Sequence, residues 1–173
     1  MTQSAWSLGT GRLLLTPVAF SDLPAIAALK ADPRVYGLML GGVRNRAEAA
    51  EDLAEDLQFW GRLGVGMWTI RERGTGRFLG LTGFHERPDG RGVGLRFALE
   101  PNAQGKGFAP EAAGAALRFA HERAGIERVV AVARETNFGS RQVLGSIGMV
   151  EAEAFERDGH RMLVFESIRR PTR

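Results

Sequence analysis

The stretch QGKGFA, residues 104–109, lies where a strand pattern ends and a long helical pattern begins. Residues 93–99 predict the strand, and small apolar residues repeated at helical spacing predict the helix. Two glycines at such a junction let the backbone approach an anion, while the first amides of the helix point towards it. The stretch therefore predicts a phosphate or pyrophosphate site. A tight turn that merely uses glycine is the structural alternative.

Two other kinds of phosphate loop do not match these residues. A Walker A loop needs Ser or Thr after its Gly-Lys pair, whereas Gly107 and Phe108 follow Lys106 here. A dinucleotide fingerprint needs a third glycine and a parallel βαβ unit, but this loop follows strands that are joined by short turns. Both nucleotide-binding interpretations fail, and an anion site of another kind remains.

Periodicity and turn signals predict the element order β-α-α-β-β-β-α-β-α-β-β. Short turns make the strands at 66–71, 78–85 and 93–99 antiparallel neighbours. The remaining strands are expected at 12–16 and 129–132 and on either side of the hairpin turn 158–159. A first helix is expected to stop before Pro33, and a short one to span 140–147. The long helix presents an unusually small face, formed by Ala109, Ala113, Ala116, Leu117, Ala120 and Ala124.

The second helix has a clear start signal. Asn45 can cap it, and Glu48 stands three residues further on, as in a capping box. Its apolar stripe is formed by Ala50, Leu53, Ala54, Leu57 and Trp60. The acidic residues of the helix lie largely off that stripe: Glu51, Asp52, Glu55 and Asp56.

Length and composition limit the class of protein. The 173 residues, 44% of them apolar, suit one domain over residues 1–173. Without cysteine there is no disulfide, thiolate metal site or cysteine nucleophile, which agrees with a cytoplasmic location; no metal is expected. No segment approaches the roughly 20 apolar residues of a membrane span, so no membrane partner is expected. A formal charge of only +3, dispersed among acids, argues against a nucleic-acid partner.

The loop and a later segment together form a family pattern. Gln104, Gly107 and Ala109 resemble the Q/R-x-x-G-x-G/A signature of the GNAT acetyltransferase superfamily. The longer stretch 99–112 resembles its branch of RimJ/RimL-type ribosomal-protein N-terminal acetyltransferases. Residues 137–149 are similar to that branch's N-x-x-S-x-x-V-L-x-x-x-G-F segment. The resemblance extends over nearly the whole chain.

This resemblance implies a fold and a cofactor. The fold class is α/β (α+β), a single GNAT acetyltransferase domain with a mixed, mostly antiparallel central sheet of about seven strands and about four helices on both faces. The strands at 93–99 and 128–133 are expected to splay apart and to receive acetyl-CoA (coenzyme A). The implied cofactor-binding residues are Leu99, Gln104, Gly105, Lys106, Gly107, Phe108, Ala109, Asn137 and Ser140.

The resemblance also implies direct attack of a primary amine on the acetyl thioester in a ternary complex. A backbone amide near Leu99 or Glu100 would polarise the carbonyl. Many members protonate the departing thiolate with a tyrosine, but Tyr36 is the only tyrosine in this chain. Ser140 is therefore the candidate for that catalytic role. Simple capping of the short helix by Asn137 or Ser140 is the alternative.

The general base is a second departure from the branch. Members often carry a glutamate on the strand before the loop, where this chain has Gly94, and Arg96 replaces a usual glycine. His85 and Glu86 are the catalytic candidates for a direct or water-mediated base. Exposed, inactive positions at the mouth of a hairpin are the alternative for both. Glu100 is a weaker candidate.

Acceptor recognition is expected from residues 31–64 and from the hairpin around 158–159. The substrate-binding candidates are Tyr36, Trp68 and Arg96, with core packing as the alternative for Trp68. The acceptor would be a small-molecule amine or a protein N-terminus, and an acidic acceptor could pair with Arg96. The resemblance also suggests a homodimer formed through exposed strand edges.

Three functions stay open on the sequence alone. Acetyl transfer to an amine is the first and best supported of them. A non-catalytic acyl-CoA-binding module is the alternative, because the usual tyrosine and strand glutamate are missing. A nucleic-acid-binding domain rests only on the excess of basic residues and is the weakest of the three.

Overall fold

The computed structural model describes residues 5–172. Within them, eight strands form one sheet in the order β1-β2-β3-β4-β5-β6-β8-β7. The strands are β1 (Leu8–Gly9), β2 (Leu13–Pro17), β3 (Met67–Glu72), β4 (Phe78–Glu86), β5 (Val93–Leu99), β6 (Arg128–Arg134), β7 (Val150–Arg157) and β8 (His160–Ile168).

Five α-helices accompany the sheet in the same part of the chain: α1 (Leu23–Ala31), α2 (Pro33–Tyr36), α3 (Arg46–Leu63), α4 (Phe108–Glu122) and α5 (Phe138–Ser146). Two short 3-10 turns lie at Phe20–Asp22 and Pro101–Ala103. Among residues 5–172, none of these helices has both the length and the apolar character that crossing a membrane requires.

The predicted fold class is confirmed, and two short elements add to the predicted order. β1 has two residues and α2 has four, so neither carries a readable period. Proline does end α1 as expected, but Pro33 also starts α2. The Asp32 carboxylate accepts a hydrogen bond from the Arg34 amide at 2.9 Å and caps this new helix.

Six of the seven strand pairings in residues 5–172 are antiparallel, and one is different. β5 and β6 run parallel, and a single register pair joins them, Gly94 with Val130. Each of the two strands is fully paired on its other side, β5 with β4 and β6 with β8. Beyond Gly94 the two strands therefore separate towards their carboxyl ends and leave a gap in the middle of the sheet.

The small face of α4 packs on the sheet as its sequence predicts. Ala112, Ala113, Ala116 and Ala120 are fully buried. They belong to the same core cluster as Trp68, Phe84 and Leu99 of the strands. Side chains of this size let the helix backbone approach the strands closely, which fixes where its first turn lies at the edge of the gap.

The cap of α3 is confirmed, but part of its predicted stripe is wrong. The side-chain Oδ1 of Asn45 accepts from the Glu48 backbone amide at 2.8 Å, and the Glu48 carboxylate accepts from the Asn45 backbone amide. Leu53 and Trp60 are buried as expected, whereas Ala50, Ala54 and Leu57 are only half-buried. Instead Ala49, Asp56 and Phe59 are buried. The helix packs against two core clusters, so its buried face is wider than one stripe and includes an acid.

We expect Ala116→Leu to lower the free energy of unfolding by roughly 1–3 kcal/mol, because the added side chain must enter a filled space between α4 and the sheet. Chemical denaturation measures the change. Arg118→Leu places the same side chain on the exposed face of the same helix and should change stability much less. Equal effects at the two positions would contradict close packing of the alanine face.

Candidate functional site

The loop at 104–107 has the backbone conformation that only glycine adopts easily. Gly105 has φ 75° and Gly107 has φ 79°, both in the left-handed region. Gly107 is the N-cap of α4, and no side chain caps this end of the helix. Among the described residues, the first amides of α4 therefore have no side-chain acceptor, and they offer donors to an anion.

Residues near the N-terminus fasten this loop. The Arg12 guanidinium donates to the Glu111 carboxylate at 2.8 Å and to the Lys106 carbonyl at 2.9 Å, and it lies 4.4 Å from the centre of the Phe108 ring. Thr10 Oγ1 donates to the same carboxylate at 2.6 Å. Burial works in the opposite direction, but the hydrogen bonds from Thr10 and Arg12 lower the pKa of Glu111. Sequence reasoning missed this anchor because Arg12 and Glu111 are far apart in the chain.

A cavity of about 600 Å³, here called the loop cavity, lies between the end of β5, the loop and α5. All but one of the predicted cofactor-binding residues line it: Leu99, Gln104, Gly105, Gly107, Phe108, Ala109, Asn137 and Ser140. Lys106 is the exception. It is exposed, and its carbonyl, not its side chain, takes part in the Arg12 anchor.

Two of the lining residues also have structural roles. The side-chain Nε2 of Gln104 donates to the Leu99 carbonyl at 3.1 Å and so holds the loop across the end of β5. The side-chain Oδ1 of Asn137 accepts from the Ser140 backbone amide at 3.2 Å and caps α5. Asn137 thus both caps α5 and lines the cavity. The Ser140 hydroxyl takes no part in the cap.

A second cavity of about 280 Å³, here called the basic cavity, lies beside the gap between β5 and β6. The segment after α2, residues 38–42, forms part of its wall. The two cavities share the lining residues Leu38, Met39, Phe97, Ala98, Asn137 and Ser140. They therefore meet at β5 and the first turn of α5, where a molecule in one cavity can reach a molecule in the other.

The prediction that Trp68 binds substrate is wrong. Its side chain is fully buried and lines neither cavity. Its ring packs edge-on against Trp60 and Phe119 at centroid distances of 4.8 and 5.3 Å, and its Nε1 donates to the Trp6 carbonyl at 2.7 Å. This is the core-packing alternative, and the indole N–H is satisfied inside the core.

The other two acceptor candidates, Tyr36 and Arg96, do line the basic cavity. Burial raises the pKa of Tyr36 well above its usual value, although the charge of Arg96 opposes this, so the phenol stays neutral. Desolvation also lowers the pKa of Arg96. Arg96 is nevertheless exposed to solvent at the cavity wall.

Of the two candidate bases, only His85 lies at a cavity. Its Nδ1 is 3.1 Å from the Gly94 carbonyl oxygen, which can only accept, so Nδ1 carries the proton and Nε2 keeps its lone pair. Burial and the charges of Arg96 and Arg87 lower the pKa of His85 to about 3. The imidazole is thus neutral, and it is a weak proton acceptor at neutral pH.

Glu86 points away from this site. Strand alternation puts it on the opposite face of β4 from His85, where its side chain is 66% exposed and pairs with Arg62 at 2.8 Å. It lines neither cavity. Glu100 also lies outside both cavities, and its amide donates to the Leu79 carbonyl at 2.8 Å. The Glu100 amide is thus committed, which leaves Leu99 as the candidate for carbonyl polarisation.

The basic cavity also contains charged residues that sequence reasoning did not select. Lys30, only 4% exposed, donates to Asp52 at 3.0 Å, and Arg44 pairs with the same carboxylate at 2.9 Å. Arg87 is buried and pairs with Asp89 at 2.6 Å. Lys30 and Asp52 lie on different helices, and a pair of this kind gives no local sequence signal.

Asp56 is a buried acid at the edge of this charge cluster. It is 9% exposed, and burial raises its pKa to about 6 although the charges of Lys30 and Arg96 act in the opposite direction. No hydrogen bond or ion pair holds its carboxyl group in residues 5–172. Near neutral pH it carries an incompletely compensated charge.

The glycine loop at the start of α4, beside two parallel strands that separate, agrees with the resemblance found in the sequence. The model of the acetyltransferase (GNAT) domain family matches residues 12–150, and the chain belongs to this family. The chain is therefore an acyl-CoA-dependent N-acetyltransferase, and the predicted family is confirmed.

Individual relatives agree with this assignment. The uncharacterized N-acetyltransferase YjdG of Bacillus subtilis (strain 168) is 26% identical over 152 residues, which are 83% of this chain and 89% of that protein. The crystal structure of an acetyltransferase from Agrobacterium tumefaciens str. C58 is 28% identical, covers 96% of each chain and superimposes with a TM-score of 0.83.

A structure from the predicted branch shares the fold. RimL, a ribosomal L7/L12 alpha-N-protein acetyltransferase solved in complex with coenzyme A, is 19% identical and gives a TM-score of 0.76. The match covers 92% of this chain and 95% of that one.

The raised pKa of Asp56 predicts how stability depends on pH. The folded carboxyl keeps its proton to about pH 6, whereas the unfolded one loses it near 3.8, so the free energy of unfolding falls as the pH rises between these values. The shift corresponds to roughly 3 kcal/mol. We expect Asp56→Asn to raise the Tm by about 5–10 °C above about pH 7, with little change near pH 4. Differential scanning calorimetry measures both.

Asp89→Asn is the control with the opposite sign. The hydrogen bond from Arg87 lowers the pKa of Asp89. The ionised carboxylate therefore stabilises the fold at pH values above the usual pKa of an aspartate. This variant should lower the Tm at neutral pH. A Tm for Asp56→Asn that equals the wild-type value at every pH would contradict the assigned ionisation.

Proposed function

We propose that this chain transfers an acetyl group from acetyl-CoA to a primary amine, by direct attack of the amine in a ternary complex. The meeting of the loop cavity and the basic cavity at Phe97, Ala98 and Ser140 supports this proposal most strongly. Two molecules bound in adjoining cavities would be held close together, which favours direct transfer and needs no protein nucleophile.

The residues of the loop cavity fit coenzyme A. Gly105 and Gly107 open the backbone to an anion, and a Cβ at Gly105 would meet no atom within 4 Å, so this surface is free for a ligand. We infer that the loop and the first amides of α4 would hold the pyrophosphate, and that Asn137 and Ser140 would line the pantetheine arm. Acetyl-CoA supplies the acetyl group as an activated thioester.

The chain's own residues would then position the amine and manage protons. Nε2 of His85, with its free lone pair, would accept a hydrogen bond from the amine or from a water beside it. Because its pKa is about 3, His85 would orient the amine and leave the removal of the proton to water. The Ser140 hydroxyl would donate a hydrogen bond to the departing sulfur.

A non-catalytic acyl-CoA-binding module is the second candidate. Gly94 carries no carboxyl group, and Glu86 lies outside both cavities. The Asp52 carboxylate lines the basic cavity but is held by Lys30 and Arg44, so it is a poor base. Release of free thiol from acetyl-CoA in the presence of an amine separates the two functions. Such a module would be stabilised by coenzyme A and would release no thiol with any amine.

We expect Gly107→Glu to abolish binding of coenzyme A, because a carboxylate at the N-cap of α4 would repel the pyrophosphate and occupy its place. At about a hundredfold excess over its Kd, a ligand stabilises a protein by about 2.7 kcal/mol. The thermal shift with coenzyme A should therefore be present in the wild type and absent in this variant.

Gly125→Glu is the matched control, since Gly125 has φ 71° and lies just beyond the other end of α4. It adds the same charge and a similar backbone strain, with no atom within 4 Å of its Cβ. It should keep the thermal shift. If Gly107→Glu still bound coenzyme A normally, the pyrophosphate site would be wrongly assigned.

We expect Ser140→Ala to lower kcat for acetyl transfer by about 10–100-fold, as loss of a hydrogen bond to a charged group would. The KM for the amine should change little, because the cap of α5 uses the Ser140 amide and survives the substitution. Initial rates of thiol release measure both constants. Ser21→Ala, at an exposed serine outside both cavities, should behave as wild type. An unchanged kcat in Ser140→Ala would remove this role.

A further inference from the structure

The basic cavity has more positive groups than its acids can balance. Its wall includes the cations Lys30, Arg44, Arg87, Arg96 and Arg134. Among the described residues that line it, Asp52 is the one carboxylate. Lys30 and Arg44 share that carboxylate, while Arg87 is paired with Asp89 outside the wall. Two guanidinium groups are left over.

These two groups, Arg96 and Arg134, have no ion pair in residues 5–172. The Nε of Arg134 is buried and has no hydrogen-bond partner. The charges of Asp56 and Asp52 act on Arg96, but Arg96 makes no hydrogen bond with either residue. Arg134 is half-buried and Arg96 is exposed, and both line the basic cavity. The wall thus presents two guanidinium groups without a carboxylate partner, and an anionic ligand would supply one.

The two arginines are placed so that one ligand can contact both of them. Arg96 lies on β5, and Arg134 is the last residue of β6. These are the two strands that separate beyond Gly94 and Val130, so the arginines flank the gap and reach one cavity from its two sides. Guanidinium groups bind carboxylates in a planar, often bidentate geometry.

We propose that the acceptor is a small amine that also carries a carboxylate, and that Arg96 and Arg134 bind this carboxylate while the amine faces Ser140. This inference rests on the proposed acetyl transfer and names its substrate class. The cavity volume of about 280 Å³ suits a small amino carboxylate, and the segment 38–42 in its wall leaves little room for a chain.

The same charges act against polyamines. A diamine would bring two positive groups into a wall that already has an excess of cations, and like charges in a cavity of low dielectric repel strongly. A carboxylate removes that repulsion. It would also offset the charge of Arg96, which holds the pKa of His85 low, and so make Nε2 a better hydrogen-bond acceptor in the ternary complex.

The test compares matched amines. Thiol release is measured with glycine, β-alanine and γ-aminobutyrate, each beside its own carboxamide, and with putrescine as the diamine. We expect at least one amino carboxylate to have a kcat/KM more than about tenfold above its carboxamide and above putrescine. Arg96→Gln and Arg134→Gln should raise the KM for that carboxylate about 10–100-fold and leave the carboxamide nearly unchanged.

Arg128→Gln is the matched control. Arg128 begins the same strand as Arg134, pairs with Glu166 at 2.9 Å and lines neither cavity. It should keep the preference for the carboxylate. The thermal shift with coenzyme A shows that each variant is folded. A preference for the carboxamide or for putrescine, or equal losses for both members of a pair in the arginine variants, would overturn the proposal.

Titration calorimetry of the same amines in the presence of coenzyme A separates this inference from the proposed reaction. If no amine releases thiol but an amino carboxylate binds, and Arg96→Gln and Arg134→Gln weaken its binding, the carboxylate site stands and acetyl transfer fails. If amines without a carboxylate react and no carboxylate binds, acetyl transfer stands and the carboxylate site fails. If no amine reacts and no carboxylate binds, both are wrong.

Discussion

The separation of β5 from β6 is the constraint on which the site depends. The two strands share one register pair, yet each forms seven pairs with its other neighbour, so the sheet stays continuous while its middle opens. Phe97 and Ala98 on β5 line both cavities, and Val132 and Ala133 on β6 line the basic one. An opening in a sheet provides backbone groups at its rim and a deep cleft without weakening the outer ladders.

Local signals were sufficient for the elements and insufficient for their arrangement. The alanine period of α4, the Asn45 cap of α3 and the turn at Asp158 are encoded within a few residues, and each was predictable. The insertion of β8 between β6 and β7 depends on contacts between distant segments. No short pattern reports those contacts, so the strand order became visible only in the structure.

The two halves of the site differ in the same way. The loop cavity is built mostly from two contiguous segments, around Gly107 and around Ser140, and a motif can capture it. The basic cavity draws its residues from four helices, α1, α2, α3 and α5, and from five strands, β3, β4, β5, β6 and β8. The alternation of apolar and polar residues also did not predict which side chains of β3 and β4 face the cavity. Both faces of these strands are covered, so apolar and polar positions did not show that Trp68 faces the core and Glu86 faces solvent.

The missing strand glutamate is explained by the residues that surround Gly94. A Cβ at this position would lie 2.8 Å from Cε1 of His85 and 2.8 Å from Cγ of Arg87, and neither atom is the free end of a flexible chain. A glutamate would therefore displace both side chains and break the hydrogen bond between His85 and the Gly94 carbonyl. Glycine at position 94 and the positions of His85 and Arg87 therefore form one arrangement, which leaves no room for a glutamate on this strand.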